Sequence, residues 1–294
     1  MDELDIKLTY KCNNNCIYCL NKDKRGQEVD YQEIKKRVSE FADKGGGKLI
    51  ISGGEPLIDD NFIDLLNFSK KRGLNLFEIQ TNGRMLSYES LVKKIIEFGK
   101  VSFLVSFHFS NPEDYKKNCQ IDGFDQVVRG IKNLQKHGLS FTLNIVTSKK
   151  NIDQLEDIFT YLRSVDVTGY RAGFRFIDGS NFMDKYKSFV PKYTEIVPVI
   201  KKIIQKNSEL TFHLNEFPYC VLSENLREKV SHLRSDRSNL TNEYSLKSTE
   251  EIYNCQFSLS INCKNCDYLG KCRGIRNEYL EVYGGDEFIP ITKN

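Results

Sequence analysis

The sequence lacks the features of membrane, secreted and repeat proteins. No apolar run approaches the roughly 18 residues that span a bilayer, and the first residues show no signal-peptide pattern. No internal repeat or low-complexity tract is present. The 43 Lys and Arg residues nearly balance the 40 Asp and Glu residues, and the formal net charge of +3 argues against nucleic acid or a membrane as partner. These absences predict a cytoplasmic protein.

The length allows a substantial core, and the cysteine content favours metal or redox chemistry. A chain of 294 residues is long enough for one large α/β domain and a smaller unit. Nine cysteines without a secretion signal argue against disulfides and for metal or redox chemistry. Seven of them fall into two clusters near the two ends of the chain, whereas packed thiols would scatter. Cys119 lies outside both clusters, and we interpret it as an ordinary thiol in a loop.

The first cysteine cluster follows a short alternating strand. Cys12, Cys16 and Cys19 have C-x3-C-x2-C spacing, so that one loop can bring three thiolates to one metal centre. Thiolate is the soft ligand that iron–sulfur clusters and zinc prefer, and three is one fewer than a four-cysteine site needs. The spacing therefore indicates a cluster with one open iron, half of a zinc site, or three separately packed thiols.

Strands and helices alternate in the first two thirds of the sequence. Segments with alternating or continuous apolar residues precede segments with helical apolar spacing, which predicts a parallel sheet with right-handed crossovers. The alternation of predicted strands and helices ends beyond Gly179. Six such units predict an α/β fold, a partial (β/α)6 TIM-like barrel, over residues 1–185, with a small cysteine-rich domain over residues 186–294. Sites on such folds collect at the carboxyl ends of the strands.

Two motifs resemble one known family. The three-cysteine loop, with Tyr18 before its last cysteine, is similar to the cluster-binding loop of radical S-adenosylmethionine (radical SAM) enzymes. Gly53-Gly54-Glu55-Pro56, after the second predicted strand, contains a sequence that resembles the GGE motif of that family. The resemblance implies that the three cysteines hold a [4Fe–4S] cluster whose open iron binds S-adenosylmethionine. An electron, from a donor such as flavodoxin or ferredoxin, then cleaves this cofactor to a 5′-deoxyadenosyl radical that abstracts a substrate hydrogen.

Polar residues at the predicted strand ends are candidates for ligand contacts. Glycines allow close backbone approach, and Glu55 can accept hydrogen bonds from an ammonium group. The family's polar side chains near Ser106 and His108 commonly reach the ribose, although His108 is alternatively a core histidine or a substrate contact. Arg175 suits a substrate carboxylate, or else is a solvated arginine. The predicted cofactor-binding set is Tyr18, Gly53, Gly54, Glu55, Pro56, Asn82, Ser106, His108, Asn144 and Thr147.

The second cysteine cluster follows a polar, charge-dense stretch. Cys255, Cys263, Cys266 and Cys272 have the spacing of a metal knuckle, which suits zinc as well as a cluster. The last three resemble part of the auxiliary-cluster domains called SPASM and twitch, which implies one auxiliary [4Fe–4S] cluster. Cys220 and Cys255 compete for its fourth position: the resemblance favours Cys220, and proximity in sequence favours Cys255.

The resemblance implies an enzyme, for which we expect a ribosomally made peptide as substrate and crosslinking, epimerisation or oxidation as outcome. A radical SAM oxidase or dehydratase for a small molecule is the alternative. A non-catalytic iron–sulfur or zinc protein would explain both cysteine clusters but leaves Gly53–Pro56 and the open fourth ligand without a role. Formation of 5′-deoxyadenosine separates an enzyme from such a carrier.

Overall fold

A parallel β-sheet forms the centre of the molecule. The computed structural model describes residues 2–231, 239–241 and 256–292. The strands of the sheet are β1 (Asp2–Thr9), β2 (Gly47–Gly53), β3 (Leu76–Thr81), β4 (Lys100–Ser106), β5 (Ser140–Thr147), β6 (Arg171–Phe176), β7 (Phe212–Asn215) and β8 (Asn239–Thr241). Their order is β7-β6-β5-β4-β3-β2-β1-β8, and all neighbours pair in parallel. The predicted α/β fold is confirmed.

Helices cover the sheet between the strands. The helices are α1 (Tyr31–Asp43), α2 (Phe62–Lys71), α3 (Glu89–Ile96), α4 (Pro112–Cys119), α5 (Phe124–Lys136), α6 (Leu155–Ser164), α7 (Tyr186–Phe189), α8 (Tyr193–Lys206), α9 (Glu224–Arg227) and α10 (Asn277–Tyr283). α1 begins where the Asp30 carboxylate accepts two backbone amides, and it buries Ile34, Val38 and Phe41. In the described ranges, no helix combines the length and the apolar character needed to cross a bilayer.

The sheet curves, so that loops near its two edges meet where the carboxyl ends of the strands lie. Along β4 and β5 every second residue is buried against the helices and most of the others are half-buried on the inner face. The Asn181 amide, in the loop after β6, donates to the Leu20 carbonyl at 2.6 Å, in the loop after β1. These loops touch although their strands lie five positions apart in the sheet. This curvature is that of the predicted partial barrel.

The alternation of strands and helices extends further than the sequence pattern indicated. α8 and β7 follow Gly179, and β7 pairs with β6 in parallel. The expectation that the rhythm ends there is wrong, because a short turn at Ser180–Lys185 and the four-residue α7 interrupt the periodic pattern. The domain boundary between residues 185 and 186 stays a prediction.

Two elements were not predicted from the sequence. They are a small antiparallel pair of strands near the C-terminus and helix α4. The pair consists of β9 (Phe257–Ser258) and β10 (Ile275–Arg276). α4 escaped prediction because its eight residues carry four charges and only two apolar side chains at its core-facing positions, Tyr115 and Cys119. Cys119 therefore ends a helix, whereas the sequence placed it in a loop.

Candidate active site at the carboxyl ends of the strands

The loop after β1 carries three free thiols at the carboxyl edge of the sheet. Cys12, Cys16 and Cys19 are half-buried. Burial raises the pKa of Cys12 to about 11, and the Glu55 carboxylate and the two other thiols of the loop add to the shift. The Asn14 amide opposes it by donating to Cys12 Sγ at 3.4 Å. Cys16 and Cys19 therefore lie within electrostatic range of Cys12.

The C-terminus of α4 holds the centre of this loop. The Asn15 amide donates to the Cys119 carbonyl at 2.9 Å, and the Ile17 amide donates to the Asn118 carbonyl at 3.0 Å. These two hydrogen bonds flank Cys16 on both sides and fix its backbone. The Cys119 thiol is buried, lies 3.9 Å from the Tyr18 hydroxyl and neighbours the Cys16 thiol. Cys119 is thus a packing neighbour of the loop.

Arg84 holds the same loop from the β3 side, and the sequence pattern did not identify it. Its guanidinium donates to the backbone carbonyl of Asn13 and, at 3.1 Å, to the side chain of Asn14. Nε donates to Gln126 Oε1 on α5 at 2.6 Å. A planar guanidinium suits this role because it offers several fixed donors. Its position directly after the strand-end turn at Asn82 was the available signal.

Gly53 and Gly54 are needed for close contact between β2 and the cysteine loop. A Cβ atom on Gly53 would lie 2.3 Å from the Thr9 carbonyl oxygen, and one on Gly54 would lie 2.2 Å from the Lys11 carbonyl oxygen. Gly53 also has a φ of 125°, which disfavours other residues. The Gly54 amide donates to the Thr9 carbonyl at 2.7 Å. The Gly54 carbonyl accepts no hydrogen bond from the described part of the chain.

Glu55 is a buried connector between β2 and β3. Its side chain is 0% exposed and accepts hydrogen bonds from the Leu57 amide at 3.2 Å, the Thr81 hydroxyl at 2.7 Å and the Asn82 amide at 2.7 Å. Burial raises its pKa to about 7, against the effect of these donors. Both carboxylate oxygens are therefore engaged within the protein. Pro56 is also buried and starts the short 3-10 turn that follows.

Asn82 links the end of β3 to the cysteine loop. Its side-chain amide donates to Asn13 Oδ1 at 2.7 Å and lies 3.9 Å from Cys12 Sγ. Its side-chain oxygen accepts from the Arg84 amide at 3.0 Å. Asn82 therefore lies beside the Cys12 thiol, and its role as a cofactor contact stays a prediction.

His108 lies just beyond β4, on the same half-buried side as Ser106 and near Asn144 of β5. Its Nδ1 accepts the Val146 amide at 3.2 Å, and its ring packs edge-on against Tyr18 at 5.7 Å. Burial lowers the pKa of His108 to about 4. The imidazole is therefore neutral at pH 7, and because Nδ1 accepts a hydrogen bond, Nε2 carries the proton.

Thr147 and Arg175, the last two predicted contacts, lie on opposite sides of the sheet. Thr147 is fully buried and donates to the Arg175 carbonyl at 3.2 Å. It stands an odd number of residues from Asn144 and therefore lies on the opposite side of β5, away from the mouth. Arg175 lies on the inner side, where its guanidinium pairs with Glu216 Oε1 at 3.0 Å rather than pointing freely into solvent. Glu216 follows β7, a strand that the sequence pattern had not assigned to the sheet.

Four cysteines line one cavity near the C-terminus. Cys220 reaches it from a short turn after β7, while Cys263, Cys266 and Cys272 come from the segment before β10. Burial, followed by the three neighbouring thiols, raises the pKa of Cys220 to about 12. Cys255 lies outside the described residues. Within those residues, no three His, Cys, Asp or Glu side chains are close enough together for a single metal ion.

Comparison with known proteins identifies the family of the N-terminal part of the chain. The sequence profile of the Radical SAM superfamily matches residues 6–162, which is more than half of the chain. The chain belongs to the radical SAM superfamily. It is 28% identical over 220 residues to the GTP 3′,8-cyclase of Lactiplantibacillus plantarum, a match covering 72% of this chain and 64% of that protein. The chain spans about half the length of other curated relatives that it matches.

Two solved structures have the same fold along nearly the whole chain. Streptococcus suis SuiB bound to S-adenosylmethionine aligns with a TM-score of 0.69 at 14% identity, over 99% of this chain and 76% of that chain. The anSMEcpe protein with bound AdoMet and Kp18Cys peptide aligns with a TM-score of 0.67 at 16% identity, over 97% of this chain and 95% of that chain. At these identities the likeness concerns the fold.

Proposed function

We propose that the protein is a radical SAM enzyme that cleaves S-adenosylmethionine reductively and removes a hydrogen atom from its substrate. The observation that carries this proposal is the presence of three half-buried thiols in one loop beside the Gly53–Glu55 turn, at the carboxyl edge of the sheet. Membership of the superfamily supports it.

The donor set at the β1 loop fits a [4Fe–4S] cluster with one open iron. Cys12, Cys16 and Cys19 would supply three thiolates, and S-adenosylmethionine would fill the fourth position. When bound, the cluster and this cofactor supply the one-electron cleavage that yields a 5′-deoxyadenosyl radical. An external electron donor such as flavodoxin or ferredoxin is required. The chain contributes the rigidity of the loop, which α4 and Arg84 hold from two sides.

The chain would bind S-adenosylmethionine with polar groups that have free hydrogen-bonding capacity. The Gly54 carbonyl suits the ammonium group, because no described donor occupies it, and we assign Glu55 to hold the turn instead. The Nε2 proton of His108 suits an acceptor on the ribose, with Ser106 and Asn144 on the same side. Tyr18 packs on His108 and limits how its ring can turn.

The C-terminal thiols would hold one auxiliary [4Fe–4S] cluster in a twitch-like domain. Cys220, Cys263, Cys266 and Cys272 line one cavity, and four thiolates are the ligand set that a [4Fe–4S] cluster takes. Four thiolates would give each of the four irons one protein ligand. Such a cluster suits the transfer of the electron left after an oxidative step better than direct binding of substrate.

For the substrate we propose a ribosomally made peptide. The support is the likeness to anSMEcpe, whose structure contains a bound peptide and whose fold aligns with 97% of this chain. A small molecule is the second candidate. It is favoured by the 28% identity to a GTP 3′,8-cyclase, although that match covers a smaller share, 72%, of this chain.

The test uses protein purified and reconstituted without oxygen. About eight irons per chain and 5′-deoxyadenosine after addition of dithionite and S-adenosylmethionine are the expected result. Absence of the nucleoside would favour a non-catalytic iron–sulfur carrier, and about four irons with zinc would make the C-terminal site structural. Transfer of deuterium into 5′-deoxyadenosine from labelled candidate peptides, compared with labelled GTP, then separates the substrate classes.

A further inference from the structure

A buried charge cluster joins the ends of β6 and β7 to β10. Arg276 is 3% exposed, and three carboxylates surround its guanidinium. Nη2 lies 2.6 Å from Glu216 Oε2, while Nη1 lies 2.7 Å from Asp178 Oδ2 and 3.2 Å from Glu278 Oε1. The other oxygen of Glu216 pairs with Arg175 at the barrel mouth. Glu216 is therefore shared between the barrel and the C-terminal segment.

Stability alone is a poor explanation for this cluster. Removing charged groups from water costs so much that apolar replacements are often as stable, whereas a well-paired buried charge fixes one arrangement of the chain. Glu216 also has a φ of 66°, a left-handed conformation that is unfavourable for a residue with a side chain. The hydroxyl of buried Tyr193 donates to the Glu216 carbonyl at 3.1 Å and helps to hold it there.

The position of the ion pair in the chain points to what it arranges. Glu216 lies four residues before Cys220, and Arg276 lies four residues after Cys272. The two residues thus stand at the bases of the two segments that line the four-thiol cavity. Arg276 is further fixed by β10, which pairs with β9, and by its position 5.1 Å from the ring of Phe257.

We propose that the Glu216–Arg276 ion pair is a clamp that sets the four-thiol site, so that Cys220 rather than Cys255 completes it. Both residues are positioning residues and touch no ligand. The proposal rests on the auxiliary cluster proposed above. The clamp joins chain segments about sixty residues apart and holds the base of the Cys220 segment against the base of the segment that carries the three C-terminal thiols.

The test compares full-length variants reconstituted without oxygen. Arg276→Met and Glu216→Gln should each lose about four irons per chain and the electron paramagnetic resonance signal of one cluster. They should keep the other cluster and still form 5′-deoxyadenosine. A variant that had unfolded would lose both, so this result separates loss of the clamp from general unfolding. Arg276→Lys keeps the charge but reaches fewer oxygens, and should recover about half of the lost iron. Arg72→Met, which breaks an exposed pair with Asp43, is the control and should keep both clusters.

The outcomes separate the clamp from the auxiliary cluster itself. Glu216→Gln preserves the size of the side chain and carries the test should Arg276→Met fail to fold. A wild-type chain with about eight irons and variants with the same content would overturn the clamp alone. A wild-type chain with only about four irons would overturn the auxiliary cluster and the clamp with it.

Discussion

The two groups of thiols in this protein are built in different ways. Cys12, Cys16 and Cys19 belong to one loop of eight residues after β1, whereas Cys220 lies more than forty residues before the three thiols with which it shares a cavity. The first group is arranged by local spacing, and neighbouring elements only make it rigid. The second group exists as a set of four only because the chain folds back on itself.

This difference indicates different requirements for the two sites. A three-thiol loop leaves one ligand position open, which suits a cluster that must bind a cofactor. A four-thiol cavity leaves none open, and what it needs is a fixed distance between two segments. Changes in the first loop should therefore affect the reaction itself, and changes around the second cavity should affect cluster content and coupling.

The largest effect is expected in the N-terminal loop. Cys16→Ala should abolish 5′-deoxyadenosine formation and remove about four irons per chain, because two thiols remain for a cluster that needs three. Iron analysis and chromatography of the nucleoside measure both. Cys119→Ala changes the buried thiol beside Cys16 and is the matched control, for which we expect nearly full iron content. Equal loss in both variants would contradict the assigned ligand set.

The next effect tests the C-terminal cavity. Cys220→Ala should lose about four irons and stop substrate turnover, while uncoupled formation of 5′-deoxyadenosine continues. Cys266→Ala should behave in the same way because it lines the same cavity. Cys255→Ala is the matched comparison and should retain both clusters. Iron loss in Cys255→Ala without loss in Cys220→Ala would reverse the assignment of the fourth ligand.

A smaller effect is expected where the N-terminal loop is anchored. Arg84→Met removes the donors to Asn13, Asn14 and Gln126, and should lower the free energy of unfolding by about 3 kcal/mol, since hydrogen bonds from a charged group are strong. Urea denaturation followed by circular dichroism measures the change. Arg72→Met, at an exposed ion pair, should change it by less than about 0.5 kcal/mol. Similar values for both variants would remove Arg84 as an anchor.

The smallest effect concerns the pH dependence of stability at Glu55. Its pKa in the folded protein is about 7, above its ordinary value of 4.5, so that the folded state holds the proton more tightly than the unfolded state. Its contribution to stability is fully present below pH 4.5 and is lost as the pH rises through about 7. Between pH 5 and pH 8, wild type should lose about 2 kcal/mol relative to Glu55→Gln. Urea denaturation at each pH measures the free energy of unfolding of both proteins. The same pH dependence in both would show that Glu55 does not titrate in this range.

Much of the candidate site was predictable from local pattern. The spacing of Cys12, Cys16 and Cys19 and the glycine pair after β2 depend on chain geometry within a few residues, which the sequence displays directly. The parity of strand residues also places Ser106 and His108 on one side. The same rule, applied to β5, would have separated Thr147 from Asn144.

Other features could not be predicted because they depend on contacts between distant segments. Arg84 carries no motif, and its importance appears only when α5 and the cysteine loop meet around it. Glu55 was predicted as a cofactor contact, and only the fold shows that the end of β3 and the turn after it donate hydrogen bonds to its carboxylate. β7 was obscured by the irregular segment that follows β6.

The sequence by itself determined the parallel α/β architecture, the position of the three-thiol loop and the family to which the chain belongs. The architecture follows from periodicity and the position of the loop from short-range spacing, which a linear pattern records, while the family follows from the resemblance of two motifs and from the family match over residues 6–162. Only the tertiary structure decided that Cys220 shares a cavity with Cys263, Cys266 and Cys272, and that Arg175 meets Glu216. These pairings join segments that are far apart in the chain, and burial of charge and of apolar surface selects them only once the sheet has curled.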